Sequence, residues 1–395
     1  MKIIVAQLGA RRRYSIPRML EKHGLLMSLY TNSSLYSPLG VLIRISRFRN
    51  GATERLVNRN PRIGKEITKS TDVGLLVNIF KPFLNHILYQ KIYNYLLSCK
   101  MKSWGVGDAD ILYTMFCHNI EFVKFAKGKG LKIVTDVFIH PEYYEYLNEY
   151  RKPKSLNKKY SEKNVQYQKE QWNKITQLTD VYIAPSEWVA EGVRSTLSNN
   201  STAVVHVIPY GSSVESDVQN NGIKGRVLFA GRDLERKGFV DLYNAVLHLN
   251  KVHEEVQLVV AGPVSKCDKK KYHNPCVHFL GHLTKEEMVR EYLKADIFIL
   301  PSYAEGFAAV IAEALACGCP VVVSKESGAP INDYEEGIFV NPGDVDGIIE
   351  AVKIILNDRI LRNNMSNTAW SRRKYFGFNA WENRLLEVIE NINIR

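Results

Sequence analysis

The stretch PSYAEGFAAVIAEALACGCPVVVS, Pro301 to Ser324, decides how this chain is read. An apolar run, Ile297 to Leu300, ends at Pro301. A short loop then carries Glu305-Gly306-Phe307, and Val310, Ile311, Ala314 and Leu315 recur at helical spacing up to Gly318, before a second apolar run from Pro320 to Ser324. The pattern predicts strand, turn, helix, strand. Such a turn presents the backbone N–H groups of Gly306, Phe307 and Ala308 at the positive end of a helix dipole, which favours a bound phosphate. Glu305 and Glu313 flank that position and suit the acceptance of hydrogen bonds from sugar hydroxyls. Taken alone, the same pair also reads as a helix-start acid and a solvated helix residue.

A second stretch weighs against that plainer reading. After the apolar run Arg226 to Ala230 comes Gly231-Arg232-Asp233-Leu234-Glu235-Arg236-Lys237-Gly238, a cationic turn leading into a helical pattern from Phe239 to Leu249. Cations at the carboxyl end of a parallel strand lie where ligands bind in open α/β sheets. Taken together and in order, several stretches resemble the retaining glycosyltransferases of family 4. They are the strand-like start Lys2 to Gln7, Ala184-Pro185-Ser186-Glu187-Trp188, Ile208-Pro209-Tyr210-Gly211, the Arg232/Lys237 turn, Gly262-Pro263, Phe279-Leu280-Gly281, and Pro301 to Ser324 with its Glu-x7-Glu pair. The resemblance runs along nearly the whole chain. It implies the GT-B fold: α/β, with two Rossmann-like parallel-sheet domains facing across a cleft.

Length and composition fit that expectation. A chain of 395 residues is long enough for two cores, and 45% hydrophobic with 24% charged residues is ordinary for a globular protein. Ile3 to Ala6 is too short for a secretory signal, and Arg11 to Arg13 follow it rather than precede it. With no stretch approaching the ~18 apolar residues of a membrane span, a cytoplasmic protein is expected, peripheral at most on the inner face of the membrane. The six cysteines read as reduced and structural, and the spacing of Cys267, His273, Cys276 and His278 matches no common zinc finger. The net charge of +12 is uneven: residues 1–200 hold 31 Lys and Arg against 16 Asp and Glu, the remainder 22 against 25. An anionic partner, or one displayed on an anionic surface, is expected for the first half.

Short apolar, β-branched runs alternate with helical stretches throughout, the pattern of parallel sheets. Strands are expected at Lys2 to Gln7, Leu26 to Thr31, Asp110 to Met115, Leu131 to Val137, Val181 to Ala184 and Ala203 to Ile208. A second set is expected at Arg226 to Ala230, Val256 to Ala261, Val277 to Leu280, Asp296 to Leu300, Pro320 to Ser324 and Gly337 to Val340. Between the sets, Gly211 to Gly222 is polar and aperiodic. The expected organisation is an acceptor-side domain over 1–210, a linker over 211–222, a nucleotide-sugar-binding domain over 223–376, and a terminal segment over 377–395. Trp381, Leu385, Val388, Ile389 and Ile392 share one helical face of that last segment, which either covers its own domain or, as the resembled fold implies, crosses back to the first.

By the resemblance, Arg232 and Lys237 neutralise the donor diphosphate, Glu305 holds hydroxyls of the donor sugar and Glu313 the ribose. Ala308 stands where many relatives have glycine. His140 closes the strand-like run Ile133 to Ile139 where the resembled family has a cleft histidine touching donor sugar or acceptor, with His118 as its rival and Asp136 as a polar neighbour. Gly9, with Arg11 to Arg13 after it, sits where backbone could approach the diphosphate, although the family's double glycine is missing. No metal or other cofactor is expected: Asp108-Ala109-Asp110 precedes a strand and Asp344-Val345-Asp346 opens a helix, so both read as structural, and the cationic turn takes the metal's place. A hydrolase pair wants its carboxyls ~5 to ~9.5 Å apart, whereas eight residues of continuous helix span ~12 Å.

Two stretches resemble acceptor-side surface. Arg44, Arg47, Arg49, Arg55, Arg59, Arg62, Lys65 and Lys69 lead into apolar Leu75 to Phe83, and Tyr143, Tyr144, Tyr146, Tyr150 and Tyr160 alternate with Arg151, Lys152, Lys154, Lys158 and Lys159. A solvated basic face and a membrane-surface or anionic-acceptor site both fit. The expected activity is retaining transfer of a sugar from a nucleotide-sugar donor to a glycan or lipid-linked acceptor, in surface polysaccharide or glycolipid synthesis. No nucleic-acid partner is expected. The alternative is a non-catalytic nucleotide-sugar or nucleic-acid binder that kept the fold.

Overall fold

The computed structural model describes residues 1–45, 54, 56, 58–116, 119–150, 160–212, 214, 216–252 and 255–393. Two all-parallel sheets organise them. The first contains β1 (Ile3–Gln7), β2 (Leu26–Asn32), β3 (Thr68–Thr71), β4 (Ile111–Met115), β5 (Lys132–Asp136), β6 (Val181–Ala184) and β7 (Val204–Val207), in the order 3-2-1-4-5-6-7. The second contains β8 (Arg226–Ala230), β9 (Gln257–Ala261), β10 (Val277–Gly281), β11 (Ile297–Leu300), β12 (Val321–Val323) and β13 (Gly337–Phe339), in the order 10-9-8-11-12-13. This is the expected fold: α/β, GT-B. Each apolar run expected to be a strand is one. The strand that periodicity does not reveal is β3, whose sequence TKST is polar. It needs no apolar run because it pairs on one side only, with β2, at the edge of the sheet.

Strand order reverses between β1 and β4 in the first sheet and between β8 and β11 in the second. In open α/β sheets the crevice beyond the carboxyl ends of such a pair is where ligands lie. The cationic turn follows β8, the Glu305 loop follows β11, Gly9 and Arg11 follow β1, and Phe116 follows β4. All four loops are therefore placed at switch points.

Side chains alternate between the two faces of the first sheet. Ile4, Ala6 and Leu112 join one core, while Ile3, Val5, Ile111 and Tyr113 join another with Trp381, Leu385, Leu386 and Ile389. The helix Phe378–Glu390 thus packs on the N-terminal sheet, and its Arg384 donates to the Pro209 carbonyl at 3.2 Å. The polar stretch before β8 is not slack. Ser212 forms a bridge with Gly377, and the buried Asn220 amide donates to the carbonyls of Tyr292 (2.6 Å) and Ala295 (2.7 Å), fastening it to the second sheet's domain.

Candidate functional site

The cationic turn and the glutamate loop form one unit. The Arg236 carbonyl accepts the Tyr303 N–H at 2.9 Å, and the Arg236 guanidinium donates to the Ala304 carbonyl at 2.8 Å. Glu305 Oε1 meets both Arg236 Nη1 and Lys237 Nζ at 2.7 Å. Gly238 permits this approach through a positive φ of 72° and by lacking a Cβ, which would lie 2.2 Å from the Pro301 carbonyl. Burial works against the charge on Arg236, but Glu305 and Tyr143 outweigh it and raise its pKa. Arg232 is exposed. The cation that clamps the glutamate loop, alongside Lys237, is therefore Arg236, which the sequence placed in the turn without separating it from its neighbours.

Tyr143, from the opposite domain, faces the same group. Its phenol is pushed up to about 12 by burial first, with Arg236 opposing and Glu305 adding. Glu313 lies on the helix Ala309–Ala316, where Oε2 accepts the Tyr292 hydroxyl at 2.9 Å. Burial raises its pKa, opposed by that hydrogen bond and by Lys285.

At the start of that helix one expectation is corrected. The Ala308 N–H is not free for a phosphate, because it donates to the Ser327 carbonyl at 3.0 Å, and Glu305 N–H donates likewise to Glu326 at 2.8 Å. Among the described residues no hydrogen bond occupies the N–H of Gly306 or Phe307. The loop meets the other domain directly. Ser186 Oγ caps the helix Glu187–Thr196 through Val189 N–H and donates to the Gly306 carbonyl at 2.8 Å, while Phe307 packs edge-on to Tyr210 at 5.4 Å.

His140 is largely enclosed by its own domain. It is 4% exposed, stacked on Trp188 with centroids 4.4 Å apart and edge-on to Tyr146. Its Nδ1 accepts the Glu142 N–H at 3.1 Å, and its Nε2 lies against Gly192, where an added Cβ would come within 2.1 Å. Burial lowers its pKa to about 4. Nδ1 is thus taken by the fold, while among the described residues no hydrogen bond occupies Nε2 of this neutral, packed imidazole. His118 lies outside the described residues.

Asp136 is drawn into the interior of its own domain. Fully buried, it accepts from Tyr113 (2.9 Å) and Tyr210 (3.3 Å) and pairs with Arg12 at 3.6 Å. Arg12, Arg13 and Tyr14 hold positive φ in succession, a conformation non-glycine residues rarely adopt, and this sends Arg12 inward over the Tyr210 ring. Arg11 turns instead over Phe138, 3.6 Å from the ring centroid. There it joins Tyr89, Gln90, Tyr93, Asn94 and Gln168 around a pocket of about 330 Å³ at the carboxyl ends of β1 and β4. Gly9 has φ of 69° with open space at its α-carbon, but its N–H already donates to Asn32 Oδ1 at 2.7 Å. Of the Asp-x-Asp pairs, Asp110 accepts the Lys2 backbone N–H and Asp108 pairs with the Lys2 ammonium, while Asp344 caps a helix through Gly347 N–H.

The geometry defines a GT-B protein whose cation and carboxylate groups meet at a domain cleft. Residues 213–372 match the family Glycosyl transferases group 1, so the second sheet's domain carries that family's sequence pattern. The chain is 30% identical over 221 residues to D-inositol 3-phosphate glycosyltransferase of Corynebacterium jeikeium, covering 49% of this chain and 53% of that protein. It is 28% identical over 172 residues to N,N'-diacetylbacillosaminyl-diphospho-undecaprenol alpha-1,3-N-acetylgalactosaminyltransferase of Campylobacter jejuni, covering 42% and 44%. The chain thus spans about half the length of these curated relatives. Among solved structures, sucrose-phosphate synthase from Thermosynechococcus elongatus superposes with a TM-score of 0.64 at 16% identity over 99% of this chain and 98% of that one. Anabaena HepE in complex with UDP and glucose gives 0.62 at 14% identity, over 99% and 100%. At these identities the likeness concerns the fold.

Proposed function

We propose that the chain is a retaining glycosyltransferase of family 4 that transfers a sugar from a nucleoside-diphosphate donor to a hydroxyl of a glycan or lipid-linked acceptor. The observation that carries this reading is Lys237 and Arg236 converging on Glu305 at the β8/β11 switch point, directly opposite the other domain. Breaking the glycosidic bond builds negative charge on the leaving diphosphate. Lys237, half-buried and 2.7 Å from Glu305, is a point charge that can turn to meet it, joined by exposed Arg232 and the N–H groups of Gly306 and Phe307. Arg236 stays behind as the clamp that fixes Glu305 and the Ala304 carbonyl, so the loop does not have to reorganise during reaction. Glu305 then takes donor-sugar hydroxyls and Glu313 the ribose.

In a retaining transfer without an enzyme nucleophile, the acceptor attacks from the leaving-group face and its proton passes to the departing phosphate. This needs cations rather than a carboxylate nucleophile or a metal. The pocket beyond β1 and β4, whose wall includes Phe116 and Phe138, forms the acceptor side. That pocket, with its phenols, amides and Arg11, supplies the hydrogen-bonding and stacking groups that bind sugar rings. The Campylobacter relative's name specifies an acceptor on an undecaprenol diphosphate, in keeping with a lipid-linked acceptor and surface-glycan or glycolipid synthesis.

A panel of nucleoside diphosphate sugars, followed by proton NMR in the presence of chelator, tests the proposal. Slow donor hydrolysis, and transfer products with the donor's anomeric configuration, are expected. An inverted product, or activity returning only when divalent metal is restored, overturns the retaining or the metal-independent part. No turnover with any donor leaves a binding protein.

A further inference from the structure

The helix Val73–Phe80, sequence VGLLVNIF, has no charged residue, and Asn78 is its one polar side chain. So apolar a helix is ordinarily enclosed by protein or lipid. Here only one side is enclosed: Gly74 and Val77 are buried, whereas Leu76 is 61%, Ile79 65% and Phe80 60% exposed, and Phe83 in the following turn is 84% exposed. Leu76, Ile79 and Phe80 stand at i, i+3 and i+4 on the helix, and Phe83 follows in the turn Lys81–Phe83, so exposed apolar side chains run on past the helix end. Leu39 (38% exposed) and Leu42 (64%), on the helix Pro38–Ile45, continue the patch, since the Leu39 N–H donates to Asp72 at the head of the Val73 helix at 2.7 Å.

Beside the stripe the cations outnumber the one carboxylate, Asp72, whose Oδ2 is taken by the Leu39 N–H. Arg44 and Lys81 belong to the two helices and the turn, which contain no Asp or Glu. An isologous contact between two copies would bring these cations against themselves. An anionic membrane surface offers both missing partners, acyl chains for the stripe and phosphates for the cations.

The stripe is also tied to the pocket. On the same helix Asn78 accepts from Tyr89, Gly74 lies against Tyr93, and Lys81 sits 5.6 Å from the Tyr89 ring centroid. Tyr89 and Tyr93 line the pocket beyond β1 and β4.

We propose that Leu76, Ile79, Phe80 and Phe83 dip into the interface of an anionic bilayer and hold the acceptor pocket at the membrane. The docking stands on the exposed stripe and its flanking cations Arg44 and Lys81. The lipid-borne acceptor it implies rests on the transferase reading above.

Flotation of the full chain with phosphatidylcholine vesicles, with and without phosphatidylglycerol, tests the docking without donor or turnover. The wild type is expected to float with anionic vesicles and to keep part of that binding when salt screens the charges. The triple variant Ile79→Ser/Phe80→Ser/Phe83→Ser should lose at least tenfold in partition, an order-of-magnitude expectation from removing three apolar side chains. Its nucleoside diphosphate affinity should be unchanged. Phe83→Ser alone, at an almost fully exposed site, gives the same direction without threatening the fold. Wild-type protein that ignores anionic vesicles, a triple variant that floats like wild type, or a dimer dissolved by these substitutions would each overturn the proposal. Docking that persists in a protein without transfer activity would overturn the function instead.

Discussion

Replacing Gly306 by alanine tests whether the domain contact at the Glu305 loop is essential. A Cβ there would lie 1.7 Å from the Phe138 carbonyl oxygen of the opposite domain. An ordinary C···O contact needs about 3.3 Å, so the two must part by roughly 1.6 Å. The loop cannot retreat into its own domain. Glu305 and Ala308 are pinned through their N–H groups to Glu326 and Ser327, and the Gly306 carbonyl already lies so near Gly328 that a Cβ there would be 2.5 Å from it. The movement must therefore open the cleft, stretching the 2.8 Å Ser186 hydrogen bond to the Gly306 carbonyl. Overpacking of this kind costs about 1–3 kcal/mol, and the lost hydrogen bond a further ~1 kcal/mol. An angstrom-scale misplacement of reacting groups lowers turnover by about 10²-fold. Titration calorimetry with a nucleoside diphosphate should show near-normal affinity, since the second domain keeps its own groups, while single-turnover transfer collapses. Near-wild-type transfer with an unchanged melting temperature would refute the reasoning.

Arg236 and Lys237 should separate on substitution. Lys237→Ala should cut turnover by roughly 10²–10³-fold and cost about 1 kcal/mol of stability, whereas Arg236→Ala, which takes the other cation from Glu305 and also the donor from the Ala304 carbonyl, should lose both turnover and about 2 kcal/mol in denaturant titrations. Burial raises the Glu313 pKa above the usual 4.5, and ribose hydroxyls donating to it favour the ionised form, so nucleotide affinity should be full above that pKa and fall as pH drops through it. A pH-independent affinity between 4 and 7, or a normal affinity in Glu313→Ala, would show that the ribose is held elsewhere. His140 is held neutral in the fold with a pKa near 4 against the ordinary 6.5. The unfolded chain binds that proton first, so this residue removes at most about 3 kcal/mol of stability as pH falls from 6.5 past 4. His140→Gln should retain turnover within about tenfold and flatten this pH dependence, whereas a direct reacting role would cost far more.

Strand runs, the strand–turn–helix stretch around Glu305 and Glu313, the cationic turn and the polar break before Arg226 were legible because each is a local pattern. Periodicity, a proline or glycine and a cluster of like charges all act within a few residues. The polar edge strand Thr68–Thr71 escaped because pairing on one side requires no apolar run. The terminal helix's apolar face was equally visible, but whether it covers its own domain or the N-terminal sheet depends on Ile3, Val5 and Ile111, more than 250 residues away.

What tertiary structure alone decided is the direction and occupation of each polar group. Among three cations in one turn, the distance to Glu305 selects Arg236 and Lys237. Ser327 takes the Ala308 N–H, Gly192 and Trp188 enclose His140, and the left-handed turn at Arg12 buries Asp136 beneath Tyr210. A residue type at a strand end specifies what chemistry is available. Which partner consumes that chemistry depends on rotamers and close packing with segments distant in sequence, and these interactions exist only once both domains have folded together.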